Sequence, residues 1–217
     1  MTPYYDDGTV TIYHGDCRDI LPGLSTDLVL TDPPYGISAD ASAASAGGKN
    51  GGKFYGQTNW DSERPDAEAF SAVLAAGRNH IIWGGNYFAD LLPPSSCWLA
   101  WDKGQRSFSL ADFELAWTSF KGAARMVVVP RAAAVQDGKE HPTQKSLSVM
   151  RWCITQIADQ RGEMPRTILD PFMGSGTSLK AAKDLGRSAI GIDVNEQYCE
   201  IAARRCAQEV LDLEGAA

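Results

Sequence analysis

The sequence predicts a single α/β domain, and two stretches carry that prediction. The apolar run Asp27-Leu28-Val29-Leu30 is short and rich in β-forming residues, as a buried strand would be, and Thr31-Asp32-Pro33-Pro34-Tyr35-Gly36 follows it. Residues 167–193 have the pattern of a strand, a glycine-rich turn, a helix and a second strand that ends in an acid. Alternating strands and helices favour a sheet with helices on both faces.

The remaining elements follow from apolar periodicity and from residues that begin or end helices. Helices are predicted where such residues flank a periodic segment: 65–76 between Pro65 and Gly77, 147–160 after Ser146 as an N-cap, and 178–185 before Gly186. A short helix at 18–21 and a final one at 195–213 complete the set. Strands are predicted at 9–13, 27–30, 79–83, 97–101, 113–120, 126–129, 167–169 and 188–192. The 217 residues contain no internal repeat and no clear boundary, so residues 1–217 are expected to form one domain.

The segment Asp32-Pro33-Pro34-Tyr35 has the composition of a site for a planar group that carries an amine. Two consecutive prolines remove two backbone N–H donors and leave carbonyl acceptors. Asp32 adds a carboxylate and Tyr35 an aromatic face. The alternative is a proline-rich turn in which the aspartate caps a helix. Because the segment follows a buried strand, we expect it at the carboxyl edge of the sheet, where open α/β sheets bind ligands.

A second motif, Asp170-Pro171-Phe172-Met173-Gly174-Ser175-Gly176-Thr177, lies near the other end of the chain. Asp193 ends the next predicted strand, 19 residues after Gly174. An acid about 20 residues beyond a glycine-rich turn is typical of nucleotide sites, where it binds the ribose hydroxyls. The glycines allow the backbone to approach a ligand closely.

Together with His141-Pro142-Thr143-Gln144-Lys145, these motifs resemble the amino-methylating DNA methyltransferases that use S-adenosylmethionine. The order, with D-P-P-Y first, resembles the circularly permuted β class, and the resemblance covers nearly the whole chain, from Thr9 to Arg204. It implies a Rossmann-like, mainly parallel sheet of seven strands. The strands at 28–30 and 168–169 would be neighbours, so that Asp32 and Phe172 flank one crevice.

The resemblance also implies roles for individual residues. Asp32 and the Pro33 carbonyl would accept the amine hydrogens, while Pro34 completes the motif and Tyr35 stacks on a base flipped out of the duplex. Asp193 would bind the ribose of S-adenosylmethionine, Asp16 its adenine, and Lys145 its amino-acid end. The other residues expected at the cofactor are Cys17, which also suits simple packing, Asp170, Phe172, Gly174, Gly176 and Thr177.

Adenine N6 is the expected acceptor because Asp, rather than Ser, begins the motif at position 32. Three alternatives stay open: a cytosine N4 methyltransferase, a catalytically silent module that binds cofactor or DNA, and a methyltransferase for protein glutamine. The glutamine enzymes prefer Asn at the position of Asp32. No Pro-Cys pair is present, which disfavours methylation of cytosine C5.

The partner expected from these motifs is double-stranded DNA, although the formal net charge is −7. Positive charge is gathered in residues 103–151, whose net charge is +4, so a DNA footprint is expected there, with an ordinary solvated face as the alternative. Residues 36–60, rich in glycine and serine, are predicted to be a mobile loop that brings Lys49 and Lys53 to phosphates. Residues 121–141, with Arg125 and Arg131, would form a minimal target-recognition segment.

Five cysteines without a close pair and three scattered histidines argue against a metal site, and the odd cysteine number suits a reducing cytoplasm. The N-terminal residues do not resemble a signal peptide, and no apolar run has membrane-spanning length. We therefore expect a cytoplasmic protein, encoded by a bacterium or phage, with no membrane partner. A homodimer and a cognate restriction nuclease are left open as further partners.

Overall fold

The computed structural model describes residues 2–37, 61–106, 111–130 and 145–208, without the side chains of residues 159–161. Most of the predicted 36–60 loop and part of the 121–141 segment lie outside these ranges. Among the described residues, the strands are β1 (Tyr5–Asp6), β2 (Val10–His14), β3 (Thr26–Thr31), β4 (Gly77–Trp83), β5 (Trp98–Asp102), β6 (Phe113–Thr118), β7 (Arg125–Val128), β8 (Thr167–Asp170) and β9 (Ser188–Asp193). The helices are α1 (Cys17–Ile20), α2 (Ala67–Ala75), α3 (Leu147–Arg161), α4 (Thr177–Asp184) and α5 (Glu196–Ala207), with a 3₁₀ turn at Gly85–Tyr87.

The described strands form one sheet in the order β1-β2-β9-β8-β3-β4-β6-β5-β7. The five strands from β2 to β4 are parallel neighbours, whereas β1 and β6 run antiparallel to the strands beside them. The α/β fold is confirmed. The sequence pattern predicted eight strands and the family resemblance seven, whereas the sheet formed by the described residues contains nine. The strand missing from the pattern is β1, a two-residue edge strand that is too short to show a sequence pattern.

The centre of the sheet is the pair β3 and β8, which are parallel neighbours with Leu28 opposite Ile168 and Val29 opposite Leu169. From β3 the chain continues to β4 on one side, and from β8 it continues to β9 on the other. The topological switch point therefore lies between β3 and β8, as predicted. Asp32 and Pro171 come directly after these two strands, at the same edge.

Two apolar layers cover the sheet. Leu28 and Leu30 face the layer formed with α3, α4 and α5, whereas Val29 faces the layer formed with α1 and α2. This alternation follows from the pleat of a strand buried on both faces. Among the described residues, no helix combines the length and the hydropathy that crossing a membrane requires.

Local caps explain where several helices begin. The side chains of Asp16, Asp66 and Asn195 accept backbone N–H bonds at the starts of α1, α2 and α5. Ser146 occupies the N-cap position of α3, as predicted, but its side chain forms no capping bond, and its hydroxyl instead contacts that of Ser148 at 2.7 Å.

Candidate active site

A cavity of about 260 Å³ opens at the carboxyl edge of the parallel strands, where β3, β8 and β9 end. Many of the residues predicted for the site line it: Asp32, Pro34, Lys145, Asp170, Phe172, Gly174, Thr177 and Asp193. The two motifs that lie far apart in sequence thus contribute to one pocket. Parallel strands bring their carboxyl ends to the same edge, which is the physical reason for this convergence.

Asp32 stands on the cavity wall just beyond β3, with 25% of its side chain exposed. Its Oδ1 accepts a hydrogen bond from the Tyr35 hydroxyl at 2.5 Å, and its Oδ2 accepts one from Lys145 Nζ at 2.7 Å. Burial raises the pKa of Asp32, the ammonium of Lys145 opposes the rise, and the Glu114 carboxylate adds to it. Asp32 is therefore more basic than an exposed aspartate, although a cation is paired with it.

Lys145 is nearly enclosed, with 5% of its side chain exposed. Its Nζ lies 2.7 Å from Asp32 Oδ2, 2.8 Å from Glu114 Oε2 and 3.2 Å from the Tyr35 hydroxyl. Burial lowers the pKa of Lys145, but the two carboxylates outweigh burial and raise it well above its usual value. Lys145 was expected to meet the amino-acid end of the cofactor. It lines the cavity, but its ammonium is committed to these protein oxygens.

Glu114 and Lys103 belong to this cluster and were missed by the sequence analysis. Lys103 Nζ lies 2.5 Å from Glu114 Oε1, so Glu114 is flanked by two ammonium groups. Burial raises the pKa of Glu114, but Lys145 and Lys103 together lower it to about 2. The only sequence signal was an acid within the otherwise apolar strand Phe113–Thr118.

Tyr35 is held beside the cavity rather than on its lining. Its ring stacks on Tyr87 at 4.8 Å between centroids, with 15° between the planes. Gly84 lies so close that a Cβ there would approach the Tyr35 ring to 2.1 Å. Asp61 Oδ1 accepts the backbone N–H groups of Tyr35 and Gly36 at 2.6 and 3.0 Å. The ring expected to stack on a base therefore already has two aromatic neighbours, Tyr87 on its face and Phe88 edge-on at 6.1 Å.

Tyr87 and Asp61 are also absent from the sequence-based site. Tyr87 is 41% exposed on the 3₁₀ turn that follows β4, and its backbone oxygen accepts a bond from Arg64. Asp61 is 1% exposed. Because neither belongs to a recognisable motif, only the folded chain shows that they support the D-P-P-Y segment.

Asp170 fastens the glycine-rich turn to the sheet. Its carboxylate accepts bonds from the Thr31 hydroxyl at 2.6 Å, the Phe172 N–H at 3.1 Å and the Ser178 hydroxyl. Burial raises the pKa of Asp170 to about 6 despite these bonds. The residue reaches the cavity, but its bonds join β3, the turn after β8 and helix α4.

Asp193 connects the turn to the end of β9. Its Oδ2 accepts the Gly174 N–H at 2.9 Å and its Oδ1 accepts the Asn195 N–H at 2.8 Å. Burial raises the pKa of Asp193 to about 6, against the effect of these two bonds. A carboxylate oxygen has two lone pairs, so each oxygen can accept a further bond from a ligand.

The two glycines of the turn have different roles. Gly174 has φ +50°, lines the cavity, and has no atom within 4 Å of the position a Cβ would take. That space is free for a ligand. Gly176 is not on the lining; a Cβ there would come within 2.7 Å of Ala202 Cβ. The close packing of α4 against α5 is thus one reason for a glycine at 176, and contact of Gly176 with a cofactor stays a prediction.

Asp16 and Cys17 do not line the cavity in this structure. The Asp16 carboxylate accepts the Arg18 N–H at 2.8 Å as the cap of α1 and forms an ion pair with the Arg18 guanidinium. Cys17 is 5% exposed and packs in the apolar layer with α2. The preceding Gly15 donates its N–H to the Asp193 carbonyl at 2.9 Å, which places this loop next to the cavity. Contact of Asp16 or Cys17 with a cofactor stays a prediction.

Of the residues predicted to contact DNA, Arg125 is described and Lys49, Lys53 and Arg131 lie outside the described ranges. Arg125 is exposed at the start of the edge strand β7. Pro33, the remaining residue of the D-P-P-Y motif, is buried and is not on the cavity lining.

The arrangement offers an acceptor carboxylate on one wall of a cavity and a glycine turn with a second carboxylate on another. Asp32 can accept hydrogens from an amine, and Asp193 with Gly174 can hold a ligand that carries hydroxyls. In the described part of the chain, no group of three or more His, Cys, Asp or Glu side chains is placed to hold a metal ion.

Comparison with known proteins bears on the family. Residues 93–204, just over half of the chain, match the sequence profile of the N6/N4 DNA methylase family. The chain is 25% identical to the type II methyltransferase M.ScaI of Streptomyces caespitosus, over 97% of this chain and 86% of that protein. It is 42% identical to M.HpaI of Haemophilus parainfluenzae over 71 residues, which span 33% of this chain but only 21% of the length of M.HpaI.

Solved structures agree on the fold. The chain superposes on the M1.HpyAVI–SAM complex with a TM-score of 0.58 at 21% identity, covering 92% of this chain and all of that one. It superposes on the cytosine-N4-specific PvuII DNA methyltransferase with a TM-score of 0.61 at 14% identity, covering 98% and 91% of the two chains. With the profile match, the shared fold and the cavity between the two motifs, the chain belongs to the N6/N4 DNA methylase family.

Proposed function

We propose that this chain transfers a methyl group from S-adenosylmethionine to an exocyclic amine in duplex DNA, at adenine N6, within a specific site. The observation that carries the proposal is the shared cavity. Asp32, suited to an acceptor amine, and Gly174 with Asp193, suited to a nucleoside, line the same space of about 260 Å³.

The residues present fit this donor. Asp193 would bind the ribose hydroxyls with the lone pairs that its two backbone bonds leave, and the space beside Gly174 would admit the ligand without displacing protein atoms. Phe172 would provide an apolar contact. When bound, S-adenosylmethionine supplies an electrophilic methyl group on a sulfonium centre. The position of Lys145 argues against its meeting the donor carboxylate, since Asp32 and Glu114 surround its ammonium.

The protein must make a weak nucleophile reactive, because the lone pair of an exocyclic amine is delocalised into its ring. Asp32 would accept one amine hydrogen and the Pro33 carbonyl the other, which favours a pyramidal nitrogen with its lone pair directed at the methyl group. Methylation would leave an excess proton on the amine nitrogen, and Asp32 would accept that proton. The raised pKa of Asp32 suits a proton acceptor of this kind.

The base must leave the helix to reach Asp32, because an amine within the duplex faces the groove. Tyr35 remains the proposed stacking partner. Since Tyr87 covers one side of its ring, the base would stack on another side or displace Tyr87. Adenine is preferred over cytosine because Asp stands at position 32, a preference that comes from the resemblance to the β class.

The test uses labelled S-adenosylmethionine and unmethylated bacterial genomic DNA, followed by digestion to nucleosides and mass spectrometry. N6-methyldeoxyadenosine is the expected product, and Asp32→Ala should give none while it still binds the donor in calorimetry. N4-methyldeoxycytidine as the only product would overturn the adenine assignment but not the class of enzyme. Donor binding without any methylated nucleoside would favour the silent module. Label in protein instead of DNA would favour the glutamine methyltransferase.

A further inference from the structure

Four charged side chains form an ion-pair network that leads from the sheet to the proposed catalytic carboxylate. Lys103 Nζ is 2.5 Å from Glu114 Oε1, Lys145 Nζ is 2.8 Å from Glu114 Oε2, and Lys145 Nζ is 2.7 Å from Asp32 Oδ2. The charges alternate in sign from one residue of the network to the next. Glu114 comes from β6 and Asp32 from the end of β3, which are separated in the sheet by β4.

The side chains of this ion-pair network are largely shielded from solvent. The exposed fractions of the side chains are 12% for Lys103, 25% for Glu114 and 5% for Lys145. Isolated charges at such positions would be strongly destabilising, whereas each residue of the ion-pair network has an opposite charge within contact distance. Glu114 is thus the bridge between Lys103 and Lys145, and these two ammonium groups lower the pKa of Glu114 and favour its ionised form.

The ion-pair network fixes the orientation of the Asp32 carboxylate. A carboxylate rotates easily about its last bond, so its two oxygens are distinguished only by their partners. Lys145 occupies Oδ2, and Oδ1 accepts the Tyr35 hydroxyl at 2.5 Å. That hydroxyl uses one of the two lone pairs of Oδ1, and the second lone pair is left for the N–H of an acceptor amine.

We propose that Glu114 is a positioning residue for methyl transfer: it holds the Lys145 ammonium against Oδ2 of Asp32 and so turns Oδ1 toward the acceptor amine. The inference rests on the proposed function of Asp32 and assigns to Lys145 a partner in the acceptor site. Lys103 pairs with Glu114 at the end of the ion-pair network that is farther from Asp32. Glu114 itself touches neither donor nor base.

A purely structural role would make a different prediction from a positioning role. If Glu114 only stabilised β6, its replacement would reduce stability and lower every activity in proportion to the unfolded fraction. If it positions Lys145 and Asp32, replacement would lower kcat in the folded protein and leave donor affinity unchanged, because donor contacts lie at Gly174 and Asp193.

The experiment compares Glu114→Gln with Asp112→Asn, which removes an acid two residues earlier that is not part of the ion-pair network. Turnover is measured with labelled S-adenosylmethionine and unmethylated bacterial genomic DNA, and donor affinity by calorimetry. We expect Glu114→Gln to reduce kcat by about 10- to 100-fold, the scale of a small misplacement of a catalytic group, with unchanged donor affinity. Asp112→Asn should match the wild type in both measurements.

A second readout does not depend on methylation. Acetic anhydride labels accessible, unpaired lysines, and peptide mass spectrometry reports the extent at Lys145. Labelling of Lys145 should be slow in the wild type and in Asp112→Asn, and faster in Glu114→Gln. If Glu114→Gln does not fold, Glu114→Asp, which keeps the charge but withdraws it from Lys145, undergoes the same measurements with the same expected directions.

The results separate this inference from the proposed function. Wild-type turnover with an unimpaired Glu114→Gln variant overturns the inference alone, as does a parallel loss of donor affinity and kcat. A wild type that methylates no DNA overturns the proposed function. In that case the labelling decides whether Glu114 holds Lys145, and unchanged labelling in Glu114→Gln refutes it.

Discussion

Asp32→Asn is the substitution that tests the catalytic assignment most directly. Asparagine keeps the shape of the side chain but removes its charge and its capacity to take a proton. The variant would lose both the proton acceptor and the charge that Lys145 Nζ contacts at 2.7 Å. We expect kcat to fall by about 10²- to 10⁴-fold, the usual contribution of general base catalysis.

The effect on stability should be smaller than that of leaving a buried charge without any partner. Lys145 keeps Glu114 at 2.8 Å, so the substitution removes one of its two ion pairs. A hydrogen bond to a charged group contributes about 1.5–3 kcal/mol, and partial exposure of Asp32 reduces that figure. We therefore expect the free energy of unfolding to fall by about 1–2 kcal/mol, compared with about 3–5 kcal/mol for a buried ion whose only partner is removed.

Single-turnover methylation of genomic DNA, urea unfolding and calorimetry with S-adenosylmethionine measure the three quantities separately. Asp19→Asn, a change of the same chemistry at an exposed position on α1, is the control. A variant with kcat within about tenfold of the wild type would refute the role of Asp32 as proton acceptor. A loss of donor affinity equal to the loss of kcat would show instead that Asp32 acts on the donor.

Three further predictions concern the donor and the DNA. Asp193, with its pKa raised to about 6, should bind ribose hydroxyls only when ionised, so S-adenosylmethionine affinity should fall by about tenfold from about pH 7 to about pH 5. Asp193→Asn should bind weakly at both pH values, and any pH dependence left in it belongs to Asp170, whose pKa is also about 6. Gly174→Ala and Gly162→Ala both place a Cβ in open space at positive φ and should each lower stability by about 1–2 kcal/mol, but only Gly174→Ala should weaken donor binding in calorimetry. Arg125→Ala should relax the target sequence, as judged by mapping methylated sites, and an unchanged site map would remove Arg125 from target recognition.

Local sequence was enough to locate the two motifs. Apolar runs lead into Asp32 and Asp170, and the proline that directly follows each acid disfavours continuation of the strand, so both acids were expected at or just beyond strand ends. Their convergence on one cavity needed only the further inference that the strands are parallel neighbours, which the pairing of Leu28 with Ile168 confirms. The ends of the two strands have causes within a few residues in the sequence, and such local causes can be read from the sequence.

Strand direction and sheet order at the other side of the sheet could not be read in this way. The runs at 98–102 and 113–118 have the composition of strands, but their antiparallel pairing with each other and of β6 with β4 depends on contacts between distant segments. The role of Gly176 had a similar origin. Its pattern suggested a ligand contact, which stays a prediction, and the fold adds a packing reason that the sequence could not show, the close approach of Ala202 from another helix.

The sequence by itself determined the α/β fold class and the two strand-end motifs, because hydrophobic periodicity and chain-breaking residues act over short distances, and the family resemblance implied one crevice between the motifs. Only the tertiary structure decided which groups surround Asp32 and its neighbour Tyr35. Lys145 follows it by 113 residues, and Glu114 and Tyr87 come from other elements without motifs of their own. A lysine side chain is long and flexible, so its partner is selected by the carboxylates that the fold brings within its reach, and the sheet brought Asp32 and Glu114.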